Sequence, residues 1–137
     1  TAWDNAFINF DQSSWFPAPN YVVMQLWRNH YAPNRIEIAG GSDKLNIVAT
    51  KSQDGRTLYV KCVNPETSAV QVSLELAEGF EPSEATMQLV APGSLDARNT
   101  LARPDAVRAA PGQVQTDGGT TRFTLPALSA AVVIIKL

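Results

Sequence analysis

With 137 residues, of which 45% are hydrophobic and 18% charged, the chain has the length and composition of one ordinary globular domain. Its formal net charge of −2, with Lys44, Lys51, Arg56 and Lys61 spread among apolar and acidic neighbours, argues against a nucleic-acid partner. One cysteine, Cys62, excludes an intrachain disulfide and leaves the cellular compartment open, and no apolar run approaches the roughly 20 residues that span a bilayer, so no membrane partner is expected.

The chain starts Thr1-Ala-Trp-Asp4, without an initiator Met or a secretion-signal layout, and reads as a piece cut from something larger. Residues 6–10, Ala-Phe-Ile-Asn-Phe, are nearly continuously apolar, the look of a strand covered on both sides. Residues 11–14 read as a loop that continues into Trp15. Pro17 and Pro19 then suit the first turn of a helix. From Tyr21 to Tyr31, the residues Val23, Met24, Trp27, His30 and Tyr31 recur at three- and four-residue spacing and predict an amphipathic helix. Pro33 forbids its continuation.

Beyond Pro33 the period changes to two. Residues 35–38 alternate, and Gly40-Gly41 reads as a turn. Residues 45–50 and 57–63 flank Asp54-Gly55, a strong hairpin signal. Residues 70–76 and 85–90 alternate cleanly. A second hairpin is expected from residues 113–116 and 121–125 around Asp117-Gly118-Gly119, and residues 130–137 close the chain as a buried strand. Short strands at regular spacing imply a mainly β fold, a jelly-roll-like antiparallel sandwich. The domain plan is therefore 1–33, one βα unit, and 34–137, the sandwich. Residues 92–111 lack alternation and form a long loop, either a crossover between sheets or a partner contact.

Few residues invite chemistry. Cys62 shares a face with Leu58 and Val60 and reads as a buried structural thiol. His30, the one histidine, has no serine or cysteine nucleophile placed to use it and reads as a core or interface residue. Nothing has metal-ligand spacing, and no cofactor is expected. Glu75, Glu78, Glu81 and Glu84 invite a glycosidase carboxylate pair but read as solvated surface. Trp3, Trp15 and Trp27 suit stacking on sugar rings, yet all three precede the sandwich.

Three stretches nevertheless resemble a known family. The opening Trp3-Asp-Asn-Ala-Phe-Ile-Asn-Phe-Asp-Gln12, then Ala18-Pro-Asn-Tyr-Val-Val-Met-Gln-Leu-Trp27, is similar to the last barrel strand and helix of family 51 α-L-arabinofuranosidases. The stretch from Asp96 to Val107 resembles that family's Asn-Thr…Pro…Val signature at Asn99, Thr100, Pro104 and Val107. The ending Leu125-Pro-Ala-Leu-Ser129 before an apolar strand is also similar. One departure is Gln12, where the family more often has Asn.

The resemblance implies a parent enzyme with a catalytic (β/α)8 barrel and a C-terminal jelly roll. Such enzymes remove terminal α-L-arabinofuranosyl groups from arabinan, arabinoxylan and related plant polysaccharides, with retention of configuration. Their acid/base and nucleophile glutamates, about 5–5.5 Å apart, lie on earlier barrel strands, so no catalytic residue is assigned here and the piece alone is expected to be inactive. Residues 1–33 would be the barrel's last strand and helix. Active sites of such barrels lie at the C-terminal ends of the strands, which makes Asp11, Gln12 and Trp15 the candidate substrate-binding residues, and only in the intact parent. Asp11 either bonds a sugar hydroxyl or caps its own loop. The expected partners are the parent's barrel and, through it, an arabinose-containing polysaccharide. A homo-oligomer is also expected if residues 6–10 seek an intermolecular edge. The sandwich is read as a clamp on the barrel or an oligomer interface, with a carbohydrate-binding module as the alternative.

Overall fold

The computed structural model describes residues 6–137, so the expectation for Trp3 lies outside the described residues. From the N-terminal side, β1 (Ile8–Phe10) and β2 (Trp15–Pro17) pair antiparallel and α1 (Pro19–Asn29) follows. The strands β3 (Asn34–Ile36), β4 (Asn46–Lys51), β5 (Thr57–Asn64), β6 (Val70–Glu75), β7 (Glu84–Val90), β8 (Ala110–Gly112), β9 (Val114–Asp117), β10 (Thr120–Leu125) and β11 (Ser129–Lys136) complete the chain. A six-stranded sheet has the order β3-β4-β5-β11-β7-β8, and a three-stranded sheet has the order β6-β10-β9. Every pairing in both is antiparallel.

The two sheets face each other across one core. Ala49, Val60 and Cys62 meet Met87, Ala131, Val133 and Ile135 on the large sheet, opposite Val72, Phe123 and Leu125 on the small one. Alternation on β6 and β10 places their polar residues outward, the buried Thr121 excepted, as a sheet with one solvated face requires. β11 differs because both of its faces are covered. Ala131, Val133 and Ile135 enter the sandwich core, while Val132 turns to the opposite side and meets α1. That double burial is why the strand reads as a continuous apolar run. The hairpin turns hold where Asp54-Gly55 and Gly118-Gly119 mark them, with φ of +75° at Gly55 and +55° at Gly118, a region only glycine enters without strain.

Three expectations for the N-terminal part need correction. The strand expected over residues 6–10 contracts to three residues and is not covered on both sides. Phe7, Ile8 and Phe10 are 49%, 42% and 80% exposed, because among the described residues β2 alone pairs with it. Trp15 belongs to that partner strand rather than to a loop. The helix also turns a different face inward. Val22 and Leu26 are its buried residues, with Val23 and Trp27 at the margin, whereas Met24 and Tyr31 are 53% and 63% exposed. At 100° per residue Met24 points roughly 130° away from the centre of the buried face, and Tyr31 lies beyond the helix end. α1 and part of the 92–111 loop thus form a third layer on the outer side of the large sheet, through Val90, Val107 and Val132.

Candidate functional site

The candidate residues Asp11, Gln12 and Trp15 come together at the tip of the β1–β2 hairpin. Phe10 pairs with Trp15 across it, and the backbone closes with the Asp11 N–H donating to Ser14 O at 2.9 Å. Asp11 Oδ1 accepts from the N–H groups of Ser13 and Ser14, both at 2.8 Å, and from Ser13 Oγ at 3.3 Å. The backbone N–H of Ser13 and then that of Ser14 hold the carboxyl below its usual range, since both bonds favour the ionised form. Capping of its own loop is therefore a role Asp11 performs in this structure. Oδ2 makes none of these bonds. Gln12 is exposed, and the Trp15 indole is 59% exposed beside it. An ionised acceptor, an amide and an open aromatic face thus share one small surface.

The long loop is held by a residue the sequence singled out only as part of a motif. Asn99 is 3% exposed. Its Nδ2 donates to Pro17 O and to Val107 O, both at 3.0 Å, and its Oδ1 accepts from Val107 N–H at 2.6 Å. One amide ties the loop to itself and to the end of the hairpin. Thr100 pairs with Arg103 in an isolated bridge, and Val107 is buried against α1. Asn64, which sequence reasoning missed, does similar work at the end of β5. Fully buried, it donates to the carbonyls of Ser68, Leu125 and Pro126 and accepts from Glu66 N–H. The signal available was Asn64-Pro65 at a strand end, which marks a turn without showing what the side chain reaches.

Elsewhere the chemistry is structural. His30 Nδ1 lies 2.8 Å from Leu26 O, and its ring packs 5.8 Å from that of Tyr59. Lys61 donates from Nζ to Trp27 O at 3.1 Å, near the C-terminal end of α1, and burial lowers its pKa. Cys62 is fully buried, and desolvation pushes its thiol up to about 12, the state of an unreactive core residue. Glu75, Glu78, Glu81 and Glu84 are all exposed. Among the described residues no group of three His, Cys, Asp or Glu side chains gathers to hold a metal ion.

The architecture is thus that of a jelly-roll-like antiparallel sandwich carrying a hairpin and a helix on one face. The family of α-L-arabinofuranosidase C-terminal domains matches residues 2–129, nearly the whole chain. The chain belongs to that family. No curated protein matches it. Among solved structures, an arabinose-bound family 51 α-L-arabinofuranosidase superposes with a TM-score of 0.88 at 20% identity, over 99% of this chain and 22% of that one. The α-L-arabinofuranosidase of Thermotoga maritima in complex with arabinose gives 0.83 at 20% identity, over 95% and 31%. The catalytic domain of a family 30 xylanase C from Talaromyces cellulolyticus gives 0.74 at 19%, over 96% and 27%. This chain spans a third or less of each, and the fold occurs beside more than one activity.

Proposed function

We propose that the chain is the non-catalytic C-terminal sandwich of an α-L-arabinofuranosidase that removes terminal arabinofuranosyl groups from plant polysaccharides, and that it packs on and stabilises the catalytic barrel. Residues 1–33 are then the last strand and helix of that barrel and residues 34–137 the accessory domain. The observation that supports this most is the uncovered apolar hairpin. Phe7, Ile8, Phe10 and Trp15 are 49%, 42%, 80% and 59% exposed, and each apolar side chain so placed forgoes part of the about 1.5–3 kcal/mol that full burial contributes. A hairpin of this composition is stable when neighbouring strands and helices cover it. On this reading Asp11, Gln12 and Trp15 face the substrate cleft of the parent.

The carbohydrate-binding alternative calls for exposed aromatic rings on a sheet face. Tyr59 is half-buried under α1 and His30, and Phe123 is in the sandwich core. Phe80 is 43% exposed but lies in the connection between β6 and β7. Among the described residues of the two sandwich sheets, no such platform supports that alternative.

Assayed alone, the chain should not hydrolyse an aryl α-L-arabinofuranoside above buffer background. Turnover that survives repurification and disappears on substituting one of its own carboxylates would overturn the reading.

A further inference from the structure

A cleft of about 470 Å³ opens along the seam where α1, β7 and the 92–111 loop meet, away from the hairpin tip. We propose that this cleft binds a neutral, hydroxyl-rich ring, one or two sugar units, as a site separate from the one at Asp11 and Trp15. Its floor is apolar, made by the buried side chains of Val22, Leu26 and Val107. Its polar lining comes from three elements that converge: Gln25, Asn29 and His30 on α1, Gln88 on β7, and Asp105 with Arg108 on the loop. The volume falls within the few hundred Å³ of ordinary small-ligand sites.

The type of group selects the ligand. A primary amide offers both donors and an acceptor, which matches a hydroxyl that both gives and takes a hydrogen bond. His30, which also lines the cleft, is held in one ring orientation. A carbonyl only accepts, so the contact with Leu26 O at 2.8 Å puts the proton on Nδ1 and leaves Nε2 as the remaining acceptor of the ring. Packing against Tyr59 fixes the ring plane. Arg108 and Asp105 pair at 3.3 Å, so the charged residues of the lining are one cation and one anion and add no net charge to the cleft. A sugar ring has the matching duality, with C–H groups for the apolar floor and hydroxyls for the rim. Affinity in the millimolar range follows from the absence of an aromatic platform among these lining residues.

The test is a titration of the isotope-labelled 137-residue chain, followed by amide correlation spectra, with L-arabinose, a neutral arabino-trisaccharide and the charged sugar D-galacturonate. Saturable shifts are expected for the neutral sugars at the side-chain amides of Asn29 and Gln88 and at the backbone of Asp105 and Arg108, with none for galacturonate. Gln88→Leu should weaken binding about threefold to tenfold, the worth of one lost polar contact. Arg108→Ala, at a side chain 69% exposed, should weaken it in a protein whose fold does not depend on the residue, which keeps the test valid if Gln88→Leu fails to fold. Shifts that do not saturate, that centre on the hairpin, that favour galacturonate, or that survive Arg108→Ala unchanged would each overturn the assignment. A failure here leaves the barrel reading where it stands, because that reading is tested by the chain's lack of turnover and not by sugar binding at this seam.

Discussion

Asn99 shows how much one polar side chain does when it is buried and fully used. It joins Pro17 O, Val107 O and Val107 N–H, three backbone groups that it satisfies at the one buried point of a mostly exposed loop. Asn99→Ala deletes the donor and the acceptor together, and an unsatisfied buried N–H costs more than the mean hydrogen bond contributes. The expected loss is roughly 2–4 kcal/mol, read as a lower urea midpoint at unchanged slope. Arg98→Ala, next door and exposed, should stay within about 0.5 kcal/mol. A midpoint that moves equally for both variants would remove Asn99 from this role. The motif containing Asn99 was legible in the sequence. Its bond to Pro17, 82 residues away, was not, because spacing carries no information about contacts that only folding creates.

At the scale of elements, α1 separates what periodicity reveals from what it leaves open. Three- and four-residue spacing announces a helix and two prolines mark its ends, yet a helix with apolar residues at 22, 23, 24, 26 and 27 has more than one face to offer. The outer side of β11 chooses among them, by presenting Val132 to Val22 and Leu26. Leu26→Ala should therefore cost about 2–5 kcal/mol, in the range of buried Leu truncations. Met24→Ala, at a residue 53% exposed, should be nearly neutral in the same thermal or urea unfolding series. Equal losses would mean that the helix does not pack as described. The strands β4, β5, β6, β7, β10 and β11 were readable because each has at least one buried face and six or more residues. The three-residue strands β2 and β8 were not, since so short a piece shows no period and exists only because a neighbour pairs with it.

For the whole molecule the question is what the exposed hairpin meets. No hairpin residue enters either apolar cluster of the domain, so the hairpin and the sandwich are separable in energy. Deleting residues 1–15, a cut that spares the Pro17 carbonyl held by Asn99, should leave the sandwich folded by its near-ultraviolet dichroism and reduce self-association in sedimentation velocity. Loss of the folded signal would instead make the hairpin part of the domain's core and would put the division at Pro33 in the wrong place.

The sequence by itself determined the mainly β class, both tight hairpins, the buried thiol of Cys62 and the family, because these depend on side-chain period, turn chemistry and motif order along the chain. Tertiary structure alone decided that β11 lies between β5 and β7 while β6 leaves for the other sheet. It also decided which helix face is buried and where Asn64 and Asn99 reach. Period two states that a strand has a buried face but not what covers it. β11 pairs with β5 across 65–79 residues of chain, from Ser129↔Asn64 to Lys136↔Thr57, and that choice is made by the shared burial of both sheets rather than by any local preference.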